Sequence, residues 1–448
     1  MTHYRAARLP ANPGPAAWNA ILPPQPPSKP LHGEAAADIA IIGAGFAGLS
    51  AARRLLQIDA RLNIAVLDAE RIAEGAAGRN SGFMIDLPHH LSSDNYASQD
   101  LAQDQATITL NRLAIAFGAD AAAEYALPQA FFNPAGKINA AASPKGQRHN
   151  QHYAQHLERL GEPHEWLDAA AMRAITGSDY YLGGLYTPGA VTLQPAGYIR
   201  GLAAGLGNRI QLYENSGVTA CSRHGRGWRL HTAAGGHLTA ERIILANNGH
   251  AASFGFFQRR LLHIFTYAAM TPALDAETVR ALGGEPLWAA TPADPMGATL
   301  RRIAGPGGDR LLIRSQVTYN PSMRANPRQL AAIGRRHDAA FGRRFPQIKG
   351  INMAYRWAGL LCLSRNGAWA FGEVDDGIVA ACCQNGLGTT NGTLAGIAAA
   401  ERTLGVASDI HTALSNAPQP TPLPPEPLTW LGANAIIRYK TRLAGREQ

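Results

Sequence analysis

Short runs of consecutive apolar residues, each closed by glycine or a polar loop, alternate along this chain with stretches of helical period. Ala37-Asp-Ile-Ala-Ile-Ile-Gly43 predicts a buried strand, Phe46–Gln57 a helix and Leu62–Leu67 a second strand, which together make one βαβ unit. Two further buried strands are expected downstream, at Glu241–Leu245 and at Gly377–Cys383, each running into a polar, Gly-containing loop. The second continues through Gly388-Thr-Thr-Asn-Gly392 into an Ala-rich helix, Thr393–Leu404. Between these pieces, Leu311–Tyr319 alternates as a sheet strand does, and Leu101–Ala123 and Pro327–Phe341 have helical period. This order predicts a nucleotide-binding domain assembled from separated segments, with a second α+β domain inserted between them.

Composition narrows the class. With 448 residues, 46% hydrophobic and 16% charged, the chain is too long for one small binding module and too apolar for wholesale disorder. Four cysteines, at 221, 362, 382 and 383, show no metal spacing and fit a reduced compartment. The net charge of +9 comes with 36 Arg among the 41 basic residues, scattered along the whole length, so nucleic acid is not expected as a partner. No window has the roughly 18 apolar residues of a membrane span, and the first residues carry no apolar signal core, so the expected location is cytoplasmic. Residues 1–36, rich in Pro and Ala, read as an extended arm without chemistry of its own.

The chemistry begins at Gly43-Ala44-Gly45-Phe46-Ala47-Gly48, a G-x-G-x-x-G pattern between a strand and a helix. The first Gly allows the tight turn, the second lets backbone approach a pyrophosphate, and the third allows the helix to pack close to the sheet. The free N–H groups of the helix N-terminus favour the anion. Asp68 stands twenty residues beyond Gly48, at the end of the second strand, where a carboxylate can accept both ribose hydroxyls. This unit fits NAD and FAD alike.

The residues beyond the acid discriminate between the two. Gly75-Ala76-Ala77-Gly78-Arg79-Asn80-Ser81-Gly82 agrees at six of eight positions with Gly-Ala-Ser-Gly-Arg-Asn-Gly-Gly, the usual run in the D-amino-acid oxidase superfamily of FAD-dependent oxidoreductases. The resemblance continues through Val191–Pro195, the strand carrying Val218, Trp357–Ser364 and Gly386–Gly396. With the tail Pro424–Glu447 it is closest to the branch of glycine, sarcosine and γ-glutamylputrescine oxidases. It implies an α/β FAD-binding Rossmann-like domain (37–100, 186–254 and 355–412) and an inserted α+β substrate domain on a mostly antiparallel sheet (101–185 and 255–354). A C-terminal extension, 413–448, completes the chain.

The resemblance also implies residue roles. Gly43 to Gly48, Asp68 and Ala69 would hold the adenosine and pyrophosphate, Asn80, Ser81 and Gly82 would lie along the flavin ring, and Gly78 and Arg79 beside them would also bind the cofactor. Val218, Ala246 and Gly249 would border it, in a loop that reads Ala-Asn-Asn-Gly where relatives often have Ala-Thr-Gly. Gly386, Leu387, Gly388 and Thr389 would place a helix N-terminus at the flavin N1–C2=O edge, where reduction puts negative charge. Cys362 lies near the flavin-tethering cysteine of some sarcosine oxidases, but its offset from Ser364 differs, so the FAD is expected to be non-covalent. No metal is expected.

On the substrate side, Leu361 stands where relatives acting on α-amino acids have an Arg that pairs with the substrate carboxylate. The expected substrate is therefore a small-molecule amine whose polar groups lie away from the reacting carbon. Its C–N bond would be oxidised to an imine by hydride transfer to flavin, and the imine then hydrolysed. Asp86 is a candidate partner for the substrate ammonium and Arg314 an alternative carboxylate anchor. His89 and His90 are candidates for proton removal, although adjacent histidines cannot face one site together. Relatives that use oxygen place a Lys over the flavin, and this chain has none between Lys145 and Lys349. Oxygen and another electron acceptor thus both stay open, as do an amino-acid or opine dehydrogenase and an RNA-modifying flavoprotein. Leu428–Leu443 reads as a helix packed on the body, with peripheral contact to a membrane surface as its alternative.

Overall fold

The computed structural model describes residues 3–89, 96, 98, 100–305 and 307–448. The predicted βαβ unit is the strand Glu34–Ile42, the helix Phe46–Ile58 and the strand Ile64–Leu67. Five strands lie parallel in the order Gln211–Tyr213, Ile64–Leu67, Glu34–Ile42, His237–Leu245 and Ile378–Cys382. Alternation explains why these runs look uniformly apolar. Ile39, Ile41 and Val66 enter the core on the helix side, while Ala40, Ile42 and Leu67 enter a second core on the other face. The strand His237–Leu245 forks: its first half pairs antiparallel with Gly227–Thr232 and its second half with Ile378–Cys382.

The helix Thr390–Leu404 crosses Phe46–Ile58 at close range because the contact is built from small residues. A Cβ on Gly396 would sit 2.2 Å from the Ala47 carbonyl oxygen, and one on Gly392 3.1 Å from the Phe46 Cβ.

The second sheet has eight strands, in the order Tyr355–Leu363, Leu262–Met270, Arg310–Tyr319, Thr299–Ile303, Trp288–Pro292, Lys137–Ala141, Gly183–Thr187 and Glu165–Asp168. It is antiparallel except where Trp288–Pro292 pairs with Lys137–Ala141, which matches the mostly antiparallel expectation. Tyr355–Leu363 was expected with the FAD-binding segments. It belongs instead to this sheet, paired along nine residues with Leu262–Met270, because its apolar side chains fill the core there.

The N-terminal arm also departs from expectation. His3–Arg5 adds a strand to the nucleotide-binding sheet beside Val218–His224. Trp18, on the short helix Ala17–Ala20, is fully buried and its indole N–H donates to the Asn80 carbonyl at 2.9 Å. An apolar surface of this size is lost from water only if the arm folds back, which residue-by-residue polarity does not reveal.

The C-terminal helix Leu428–Ala444 contacts the strand Arg310–Tyr319, yet only Thr429 and Ala444 of its residues are buried. No helix among the described residues is long and apolar enough to cross a membrane.

Candidate functional site: a dinucleotide cleft roofed by the second sheet

A cleft of about 1400 Å³, including its open mouth, runs from Asp68 to the second sheet. Gly43, Ala44, Gly45, Phe46 and Ala47 form its floor, joined by Asp68, Ala69, Asn80, Val218, Ala246, Gly386 and Gly388. Gly43 has φ +107°, and a Cβ there would meet the Ala246 carbonyl oxygen at 2.6 Å, so the turn admits only glycine. Gly45 caps the helix Phe46–Ile58 without any side-chain hydrogen bond, which leaves its first N–H groups for an anion.

The Asp68 carboxylate accepts from the Ala44 N–H at 2.8 Å and the Glu70 N–H at 2.9 Å. Burial pushes this carboxyl up, against the pull of those two N–H groups. Each oxygen keeps a lone pair for a ribose hydroxyl.

The remaining predicted residues stand behind the wall. Gly48 touches no cleft space, but a Cβ would lie 1.8 Å from the Gly43 carbonyl oxygen, so it sets the helix–turn distance. Gly78 does the same against the Ala73 carbonyl at 1.9 Å. Arg79 was expected to bind the cofactor. It is a buried clamp instead, donating to the carbonyls of Glu74, Gly14 and Ala358 and so tying the arm to the second sheet. Ser81 and Gly82 face away from the cleft, their carbonyls accepting from Arg301 Nη1 at 2.8 and 3.0 Å. Gly249 lies beside His263, and Leu387 packs against Phe83, Ile85 and Ala289. The Thr389 hydroxyl donates to the Phe83 carbonyl, and the Thr389 side chain makes no capping bond to the helix Thr390–Leu404. The Asn391 N–H of that helix already donates to the Leu387 carbonyl at 2.9 Å, which leaves the Thr390 and Gly392 N–H groups of its first turn for a ligand.

Composition missed part of this wall. Arg8 to Asn12 of the arm close over the Asp68 end, where the Asn12 amide donates to Glu70 at 2.8 Å. Asn247, Asn248 and His250 line the cleft, and Asn248 Oδ1 and His250 Nδ1 are buried without a hydrogen-bond partner. Unsatisfied buried polar atoms on residues that line a cleft are expected where a polar ligand completes them. The one signal for them was Ala246-Asn-Asn-Gly249 where relatives often have Ala-Thr-Gly. Burial pulls His250 and His263 down to about 4, so both are neutral near pH 7.

The second sheet turns one face to this cleft. Leu361 lines it, and Trp357, two pairs along the same strand, donates its indole N–H to the Arg79 carbonyl at 3.0 Å. Arg314 stands in the same cross-strand row as Trp357, Ala268 and Thr299, hence on the same face. Its guanidinium has no hydrogen bond or carboxylate partner among the described residues, and burial lowers its pKa. Asp86 is elsewhere: buried outside the cleft, it pairs with Arg112 at 3.2 Å. His89 stacks on Tyr96, and His90 lies outside the described residues. Cys362 is buried on the opposite face from Leu361, beside Cys383, and does not line the cleft. Among the described residues no group of His, Cys, Asp and Glu could hold a metal ion.

The residues present fit FAD: a glycine turn, two uncapped helix N-termini, a ribose-facing acid and unsatisfied polar atoms between them. Comparison with known proteins agrees. The chain is 26% identical to the γ-glutamylputrescine oxidoreductase of Escherichia coli over 383 residues, 84% of this chain and 85% of that one. It is 25% identical to the probable oxidoreductase OrdL of Rhizobium meliloti, over 78% and 79% of the two chains. In fold it resembles the glycine oxidase of Geobacillus kaustophilus with a TM-score of 0.66 at 18% identity, covering 84% of this chain and 96% of that structure. Residues 38–402 match the family described as FAD dependent oxidoreductase, and with this cleft in place the chain belongs to that family.

Proposed function

We propose that the protein oxidises the C–N bond of a primary or secondary amine whose carboxylate lies far from the reacting carbon. Bound FAD supplies the hydride acceptor, and water hydrolyses the resulting substrate imine to an aldehyde or ketone. The work left to the chain is to exclude water, to bind the amine neutral and to aim its C–H bond. His250 and His263, held neutral, add no charge beside that amine.

Arg314 carries the reading. Arg314 does not line the cleft, but a buried guanidinium on the same sheet face as Leu361, with no protein partner among the described residues, calls for an anion from outside. It lies two strands from Leu361 and four residues along, about 16 Å between backbones by strand spacing. A carboxylate held by Arg314 is thus remote from the position that anchors an α-carboxylate in relatives. An extended N-substituted diamine such as γ-glutamylputrescine, the substrate named by the Escherichia coli relative, has this layout. Asp86 receives no substrate role, since it lies outside the cleft, with one oxygen paired to Arg112.

The test is anaerobic flavin bleaching with γ-glutamylputrescine, putrescine, sarcosine, glycine and D-alanine. γ-Glutamylputrescine should reduce the flavin best. Arg314→Leu should weaken its binding about tenfold or more while leaving putrescine, which has no carboxylate, unchanged. Efficient reduction by glycine or D-alanine, with none by the amines, would overturn the remote-carboxylate assignment.

A further inference from the structure

Among the described residues nine large hydrophobic side chains are exposed, and six of them belong to one helix, Leu428–Ala444: Leu428, Trp430, Leu431, Ile436, Tyr439 and Leu443, between 43% and 65% exposed. At 100° per residue Leu428, Leu431, Ile436, Tyr439 and Leu443 fall within one arc of about 140°, with the buried Thr429 at its edge and the buried Ala444 turned well away from its centre. The helix is held by its ends. Before it, the Glu426 carboxylate accepts from the Tyr319 hydroxyl at 2.6 Å and from the Trp430 N–H at 3.1 Å. After it, Glu447 is buried and Gln448 bonds to Gln316 and to the Met296 carbonyl. The result is a fixed convex ridge about 25 Å long with an apolar crest.

Charge decides what covers it. The helix contains Arg438, Lys440 and Arg442 and no acid. Arg336, exposed on the helix Pro327–Arg344, reaches Gln316 at 2.9 Å and so extends the basic surface beside the ridge. The chain as a whole carries +9. A second copy packed ridge to ridge would bring Arg438 and Arg442 against their equals, with no acid on the helix itself to pair with them. An apolar crest with Arg438 at its edge and Arg442 within the same arc matches instead the interface of a bilayer, where acyl chains receive the leucines and isoleucine and the long arginine side chains reach anionic headgroups.

We propose that this helix docks the protein on the surface of an anionic phospholipid membrane, lying in the interface without crossing it. The experiment is co-sedimentation of the full-length, FAD-loaded protein with phosphatidylcholine vesicles with and without phosphatidylglycerol, at low and high salt. Binding is expected with the anionic vesicles and should fall as salt rises. The double variant Ile436→Ser, Tyr439→Ser should lose at least about tenfold of it, and Arg438→Glu with Arg442→Glu should remove the preference for phosphatidylglycerol. Flavin absorbance and thermal unfolding of each variant confirm that the body is intact, since none of these residues touches the cleft. Failure of the wild type to pellet with anionic vesicles at low salt overturns the proposal. So does undiminished binding by Ile436→Ser, Tyr439→Ser, which would reduce the effect to net charge. A dimer dissociated by those same substitutions, without vesicle binding, would assign the ridge to a second copy.

Discussion

Asp68 shows how one side chain can serve fold and ligand at once. Its carboxylate fastens the Gly43–Ala44 turn through the Ala44 N–H and keeps lone pairs facing the cleft. Asp68→Ala removes hydrogen bonds to a charged acceptor worth about 1.5–3 kcal/mol, so FAD affinity should drop about tenfold or more, read by equilibrium dialysis of the released flavin. Histidines set a second expectation. Burial pulls His250, His263 and His337 each from 6.5 to about 4. Between those values the unfolded chain binds more protons than the folded one. Stability is therefore full above about pH 6.5 and is lost as pH falls toward 4, by at most about 3 kcal/mol per histidine at 1.36 kcal/mol per unit. His337, on the buried face of the helix Pro327–Arg344, faces the Ser315 carbonyl at 3.3 Å. His337→Gln should flatten the fall of Tm with acid, and an unchanged slope would mean that His337 does not titrate in this range.

At the scale of elements, the arm matters most. Residues 8–12 cover the cleft at Asp68, and Trp18 fills a pocket between Asn80 and Arg301, whose guanidinium carbon lies 5.1 Å from the indole ring centre. Arg301 holds the carbonyls of Ser81, Gly82 and Leu193 with no acid near it, and burial lowers its pKa to about 9. The indole face is one of its few compensations. Trp18→Ala should cost about 3–5 kcal/mol by cavity formation and also loosen FAD, both visible as a lower Tm and faster flavin release.

Over the whole molecule, the chain ends close on distant segments. The Glu447 carboxylate accepts from the Ala142 N–H at 3.0 Å and the Ser143 hydroxyl at 2.6 Å, and its carbonyl accepts from the Ala298 N–H at 2.7 Å. The last residues thus join the start of the helix Pro144–Leu160 to the loop before Thr299–Ile303. Glu447→Ala strands buried donors at about 1–3 kcal/mol each, so thermal unfolding should begin earlier, and excess FAD should restore part of the loss by mass action.

The sequence alone determined the dinucleotide half of this protein. The glycines at 43, 45 and 48, the acid at 68 and the strand–loop–helix at 377–404 are local rules of turn, helix terminus and strand, legible wherever they stand in order. The same local rules predicted the strand that carries Arg314, while the missing carboxylate anchor at Leu361 was legible only through the resemblance to the family. Tertiary structure decided the rest. Arg79 and Asp86 were expected to face ligand and turned out to be spent on carbonyls and on Arg112, because a charged side chain's partner depends on which distant segments come within about 3 Å of it. The arm's role and the sheet to which Tyr355–Leu363 belongs were equally hidden: both rest on burial against segments far away along the chain. The exposed crest of the last helix is the converse case. Its apolar spacing was plain in the sequence, but only the packing of its two ends revealed that the body leaves that face open.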